Sequence, residues 1–150
     1  MLSIYKDKVV LVTGHTGFKG SWLSVWLTLL GAKVVGASVD VPSTPSNFAT
    51  SLIGDTIDDH RFDVRDAKAV RLLVEKVRPD FVLHLAAQAL VKTSFEMPEN
   101  TYLTNSIGTL NLLESLRKLN KKCTVILITS DKVYKNFEIK RGYTEKDILG

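Results

Sequence analysis

Short apolar runs alternate along the chain with longer segments whose apolar positions recur every three or four residues. The run at 8–13 is short and rich in valine, the pattern of a strand buried on both faces. Over 17–30 the spacing predicts a helix with Trp22, Leu23, Trp26, Leu27 and Leu30 on one face, and Gly31 stands at its stop position. Residues 33–39 predict a second strand, closed by Asp40, and the proline- and serine-rich stretch 41–47 a loop. A short third strand follows at 59–64. Asp66 caps a helix over 67–77, which Arg78 and Pro79 close. Residues 80–86 predict a fourth strand. A long helix is expected over 99–119, with Tyr102, Leu103, Ile107, Leu110, Leu113 and Leu116 as its apolar stripe, and a fifth strand over 123–129.

Strands that alternate with helices, each strand apolar throughout, predict an α/β fold with a parallel sheet covered on both faces. Right-handed crossovers leave few topologies, and a doubly wound, Rossmann-like sheet in the order 3-2-1-4-5 is expected. There is no internal repeat, low-complexity tract or linker, so 1–150 reads as one domain. Its close at Gly150, in a polar loop just after the fifth strand, is expected to mark a domain cut short, with a C-terminal substrate region absent.

Composition agrees with a packed core: of 150 residues, 45% are hydrophobic and 24% charged. The net charge is +4, with lysines and arginines spread from Lys6 to Lys146. That spread reads as a solvated surface or as a mild preference for anionic ligands. Nucleic-acid binding would need a clustered basic stripe, and none is present. The single cysteine, Cys123, excludes an intrachain disulfide. No signal-peptide pattern opens the chain, and no apolar run is long enough to span a bilayer. A reducing, cytoplasmic setting is expected.

The chemistry concentrates after the first strand, at Thr13-Gly14-His15-Thr16-Gly17-Phe18-Lys19-Gly20. A strand that passes through glycines into a helix makes an anion site, because N–H groups at the helix start point outward and the helix dipole adds partial positive charge. Gly14 permits the tight turn, Gly17 lets a phosphate approach the backbone, and Gly20 lets the helix pack closely. Thr16, Phe18 and Lys19 share the turn. Glycine triplets also occur by chance, so context matters. Asp40 ends the second strand 20 residues after Gly20. An acid there accepts hydrogen bonds from adenosine ribose hydroxyls and repels a 2′-phosphate, which favours NAD over NADP; a plain loop acid is the alternative. Asp63 and Val64, at the end of the third strand, suit an adenine edge or a helix cap. Leu85, Ala86, Ala87 and Gln88 end the fourth strand with small side chains that admit a flat cofactor or serve helix–sheet packing.

Together these residues resemble the extended short-chain dehydrogenase/reductase family. The resemblance covers the whole chain, adding His84, Thr104-Asn105 with Gly108-Thr109, Asn111-Leu112-Leu113-Glu114 and Thr129 to Lys132. Its Gly14-His15-Thr16-Gly17-Phe18-Lys19-Gly20-Ser21-Trp22-Leu23, Ala86-Ala87-Gln88, Thr101 to Asn105 and Ser130-Asp131-Lys132 are similar to the CDP-glucose 4,6-dehydratase branch. The family implies NAD as cofactor, a nucleotide-sugar substrate and lyase chemistry of nucleotide-sugar metabolism, such as feeds lipopolysaccharide O-antigen. C4 is oxidised, water is lost across C5 and C6, and hydride returns to C6. The resemblance implies Asp131 as proton donor to the leaving hydroxide, Ser130 as hydrogen-bond donor to the 4-oxygen, and Lys132 where relatives place a glutamate base. Thr104 would meet the cofactor, and Asn105 would hold the helix backbone open for a water.

Other readings stay open: a nucleotide-sugar 4-epimerase, or a non-catalytic NAD-binding module. The family's Tyr-x-x-x-Lys pair is absent from these residues, so the chain alone is expected to bind NAD without turnover. Lys92 is open to a phosphate or to solvent, and His15, in the glycine turn, to a phosphate contact. His84 and Cys123 read as packed core, His60 as exposed, and Trp22 and Trp26 as core rather than as a base-stacking platform. The three histidines lack ligand spacing, so no metal is expected. A homodimer through the 99–119 helix is possible, although packing on the sheet accounts first for its stripe.

Overall fold

The structure, a computed structural model, describes residues 3–150, with Asp131 described by its backbone alone. Parallel strands β1 (Val9–Thr13), β2 (Lys33–Ser38), β3 (Asp58–Arg61), β4 (Phe81–His84) and β5 (Thr124–Leu127) form one sheet in the order β3-β2-β1-β4-β5, as expected. Alternation along the central β1 divides the core. Val10 and Val12 pack with Leu27, Val34 and Leu83 under α1 (Phe18–Leu29). Leu11 packs on the opposite face with Val35, Val74, Val82 and Leu112, under α3 (Ala67–Val77) and α6 (Gly108–Arg117). Asp66 caps α3 as predicted: its carboxylate accepts the N–H groups of Lys68 (2.9 Å) and Ala69 (3.0 Å).

Two short helices, α2 (Asn47–Thr50) and α4 (Val91–Glu96), stand where the sequence pattern predicted no helix. Strands β3, β4 and β5 are shorter than predicted, because a strand ends where its partner turns away. β2 stops at Ser38, so β3 loses its ladder just after Arg61 and Asp63-Val64 lie in a loop. β1 bends at Gly14, so β4 ends at His84. The sheet is also not covered on both faces of β5: Ile126 is 46% exposed, and among the described residues helices cover only the other side.

Both predicted helix stripes hold only in part: Leu27 is buried, and Leu23 and Leu116 pack against the core, but other positions differ. On α1 the buried line is Gly20, Ser21, Ser24 and Leu27, while Trp22 and Trp26 are exposed. Small residues bring the helix close to the sheet, and their hydroxyls are satisfied by its own carbonyls: Ser21 Oγ donates to Phe18 O and Ser24 Oγ to Gly20 O. The expected 99–119 helix is three pieces: α5 (Pro98–Tyr102), a π-helical turn at Leu103–Ile107, and α6. The extra residue of a π turn rotates everything beyond it. The buried positions become Gly108, Leu112 and Ser115, leaving Tyr102, Leu110 and Leu113 exposed. Gly108 sits so close to Val64 that a Cβ there would lie 2.7 Å from its Cγ2.

This burial pattern is testable by urea unfolding. Leu112→Ala is expected to cost about 2–5 kcal/mol, and Leu110→Ala no more than about 0.5 kcal/mol. The reverse order would restore the uninterrupted helix.

Candidate functional site

β1 and β4 are neighbours, yet the chain leaves them in opposite directions across the sheet, so a crevice opens at their carboxyl ends. Two cavities lie there, of about 410 and 860 Å³, divided by the loop that follows β4. Ala86, Ala87 and Gln88 face both.

The glycine turn builds the floor of the first cavity. Gly14 has φ +72° and donates its N–H to Ala37 O at 2.7 Å. A Cβ on Gly14 would lie 2.8 Å from Ala86 N, and one on Gly20 only 2.1 Å from Gly14 O. Gly20 therefore serves packing, beneath the cavity. Gly17 is the N-cap of α1 and provides no side-chain cap, so the first-turn N–H groups are left for an external acceptor. Its own Cβ position meets only Gly14 O, at 3.3 Å. A cradle closed underneath by glycine contacts and open above its amides fits a pyrophosphate.

The rim carries polar groups. Thr16 Oγ1 donates to the Asp40 carbonyl at 2.5 Å, tying the turn to the end of β2, and the exposed Asp40 borders the cavity. Asp63 is clasped by Arg65, whose Nε and Nη2 lie 2.8 and 2.6 Å from its Oδ2. That guanidinium holds the Asp63 carboxyl below the usual carboxylate range. Val64, buried, lines the cavity together with Leu85 and Thr104. Phe18 lines neither cavity and is 74% exposed.

Lys19 instead borders the second cavity, with Ser130 and Lys132 from the turn after β5. Ser130 Oγ accepts the Lys132 N–H at 3.0 Å. The Asp131 side chain, the proposed proton donor, lies outside the described residues. Asn105 bonds across this cavity's edge to the backbone of Gln88, accepting its N–H at 2.8 Å and donating to its carbonyl at 3.0 Å. Lys92 points elsewhere, 3.7 Å from Glu96 on exposed α4.

The histidines are corrected or refined. His15 turns away from the crevice: fully buried, it lies behind the turn with Nε2 2.9 Å from Asp59 Oδ1 and its ring edge on Phe48. Gly36 makes the room, since a Cβ there would come 2.5 Å from the ring. His84 is buried between Thr13 and Thr109. His60 is only partly exposed, 3.1 Å from Asp58. Cys123 is half-buried against the core, and burial pushes its thiol up. Trp22 and Trp26 line neither cavity. Sequence reasoning missed Arg65 and Asn100 on the first cavity's rim, and gave no role to Asn111, which donates to the carbonyls of Val64 and Arg65. The family pattern around Asn111 was the available signal.

Among the described residues no group of three ligating side chains comes together, and no helix is long and apolar enough to cross a membrane. The sequence profile of the GDP-mannose 4,6 dehydratase family matches residues 11–149. The chain is 45% identical over 148 residues to a CDP-glucose 4,6-dehydratase of Salmonella typhimurium, covering 99% of this chain and 41% of that protein. It is 34% identical to a GDP-mannose 4,6-dehydratase of Vibrio cholerae, over 78% of this chain and 33% of that one. A crystal structure of Thermus thermophilus UDP-glucose 4-epimerase in complex with NAD superposes with a TM-score of 0.81 at 30% identity, over 95% of this chain and 44% of that one. The chain thus spans less than half the length of each of these proteins.

Burial holds both His15 and His84 below the ordinary histidine range; for His15 the neighbouring Asp59 partly opposes it. The unfolded chain therefore binds more protons than the folded one as pH falls through about 6.5. Stability should be complete above that pH and decline below it, before the carboxylates titrate. Denaturant midpoints measured from about pH 7.5 down to 5 check this, and a flat profile would contradict it.

Proposed function

Because the chain belongs to the GDP-mannose 4,6-dehydratase family, within the extended short-chain dehydrogenase/reductases, we propose that its first cavity seats NAD and that it forms the cofactor half of a dehydratase acting on CDP-glucose. One observation carries the reading: the first-turn amides of α1 lack a side-chain cap and stand over a glycine-closed cradle whose rim bears Asp40. The amides hold the pyrophosphate, Asp40 takes the ribose hydroxyls, Asp63 meets the adenine amino edge, and the Ala86–Ala87 backbone lies under the cofactor's flat part.

NAD, when bound, accepts the hydride from sugar C4 and returns it at C6. The second cavity receives the sugar. Ser130 donates a hydrogen bond to the 4-oxygen as the ketone forms. That ketone acidifies the C5 proton, which a base takes up and gives back to C5 as hydride arrives at C6, and Lys132 offsets the negative charge carried in between. Asp131 protonates the hydroxide departing from C6, a role that contributes roughly 10²- to 10⁴-fold in such reactions. An acid at this position has no use in epimerisation, where nothing leaves, which favours the dehydratase reading. The Salmonella relative and the Ser130-Asp131-Lys132 sequence support CDP-glucose among the nucleotide sugars. The Tyr-x-x-x-Lys pair that deprotonates the sugar hydroxyl in this family is not among these residues, so the chain by itself binds the cofactor without completing the cycle.

Calorimetric titration is expected to show NAD binding more tightly than NADP. Asp40→Ala should erode that preference about ten- to a hundredfold, as befits hydrogen bonds to a charged group. Equal affinity of the unaltered chain for both would overturn the assignment. With CDP-glucose and NAD the chain should yield no keto-sugar absorbance in alkali; turnover at an ordinary enzymatic rate would contradict its expected inactivity.

A further inference from the structure

His84 ends β4 at 3% exposure with both ring nitrogens engaged, Nδ1 2.6 Å from Thr13 Oγ1 and Nε2 2.9 Å from Thr109 Oγ1. The two hydroxyls decide where its proton sits. Thr109 gives its only hydroxyl proton to the Asn105 carbonyl, at 2.7 Å, so it can only accept from His84. Nε2 must then carry the proton, and Nδ1 accepts from the Thr13 hydroxyl. Thr13 Oγ1 in turn accepts the N–H of Ala86 at 3.2 Å. Donors and acceptors match along this whole chain only for a neutral ring protonated on Nε2. Burial favours the same neutral form.

The two ends of the chain grip one object. Through Thr13 it reaches Ala86; through Thr109 and the carbonyl of Asn105 it reaches the π-helical turn whose Asn105 amide holds Gln88 by both backbone groups. Ala86 to Gln88 is the wall between the two cavities. We infer that His84 is a positioning residue: as its Nε2–H tautomer it links β1 to the π-helical turn and so sets the wall on which cofactor and substrate would meet. For that consequence the inference rests on the dinucleotide reading above; for the hydrogen-bond chain it does not.

Long-range proton–nitrogen spectra of the 150-residue chain at neutral pH should show His84 protonated on Nε2 alone. Thr109→Val removes the hydroxyl that selects this tautomer and braces the turn. The Gln88 amide should then exchange roughly three- to tenfold faster, and the NAD dissociation constant should rise by a similar factor, as for one lost hydrogen bond. Thr109→Ser, which keeps the hydroxyl, should restore both. A proton on Nδ1 instead, or a Thr109→Val chain whose Gln88 exchange equals that of the unaltered protein, would overturn the inference. The tautomer is read on the unaltered chain, so it decides even if the valine variant does not fold. An unaltered chain that binds no NAD would defeat the cofactor reading while leaving the tautomer and exchange results to judge His84.

Discussion

The close seating of the turn after β1 on its two neighbours is the constraint from which the site follows. Gly14 lies against the backbone of Leu85 and Ala86 on one side, and its carbonyl lies against Gly20 on the other. Neither contact leaves room for a β-carbon, and Gly14 also adopts a left-handed conformation that other residues take only at a cost. With all three segments pressed together, the start of α1 comes to rest at the carboxyl end of the sheet, its amides directed into the crevice. Any side chain that forced these segments apart would both loosen the core and withdraw the amides from the crevice.

Polar groups around this frame divide by burial. Behind it, where water is excluded, the histidines are kept neutral and their partners are short hydroxyl or carboxylate contacts: His84 between two threonines, His15 on Asp59. On the rim, Asp40 is open to solvent and the Asp63 carboxylate is met by the Arg65 guanidinium. The rim groups suit ligand recognition, and the buried ones suit fixing of the backbone.

How much of this was legible beforehand follows from how local each cause is. The valine-rich β1, the Asp66 cap of α3 and the glycine turn depend on residues adjacent in sequence, and they stand where the pattern placed them. So does the strand order, which follows from alternation and crossover handedness. One failure is local, and the others have distant causes. Burial on α1 follows Ser21 and Ser24 because their hydroxyls bond back to the helix, which makes room for close approach and turns the tryptophans outward. The displaced stripe of α6 comes from the π-helical turn, braced by a hydroxyl facing a histidine 25 residues earlier. His15 looked available to a phosphate because nothing near it in sequence reveals that Gly36 vacates a pocket behind the turn.

Amide chemical-shift mapping during titration with inorganic pyrophosphate, and then with NAD, tests the central geometry most directly, because it reads the helix start itself. Saturable shifts at Gly17, Phe18 and Lys19 with both ligands are expected, joined by Asp40 and Asp63 with NAD alone. Dinucleotide-induced shifts that leave those three amides unmoved, or a chain that gives no shifts at all, would contradict it.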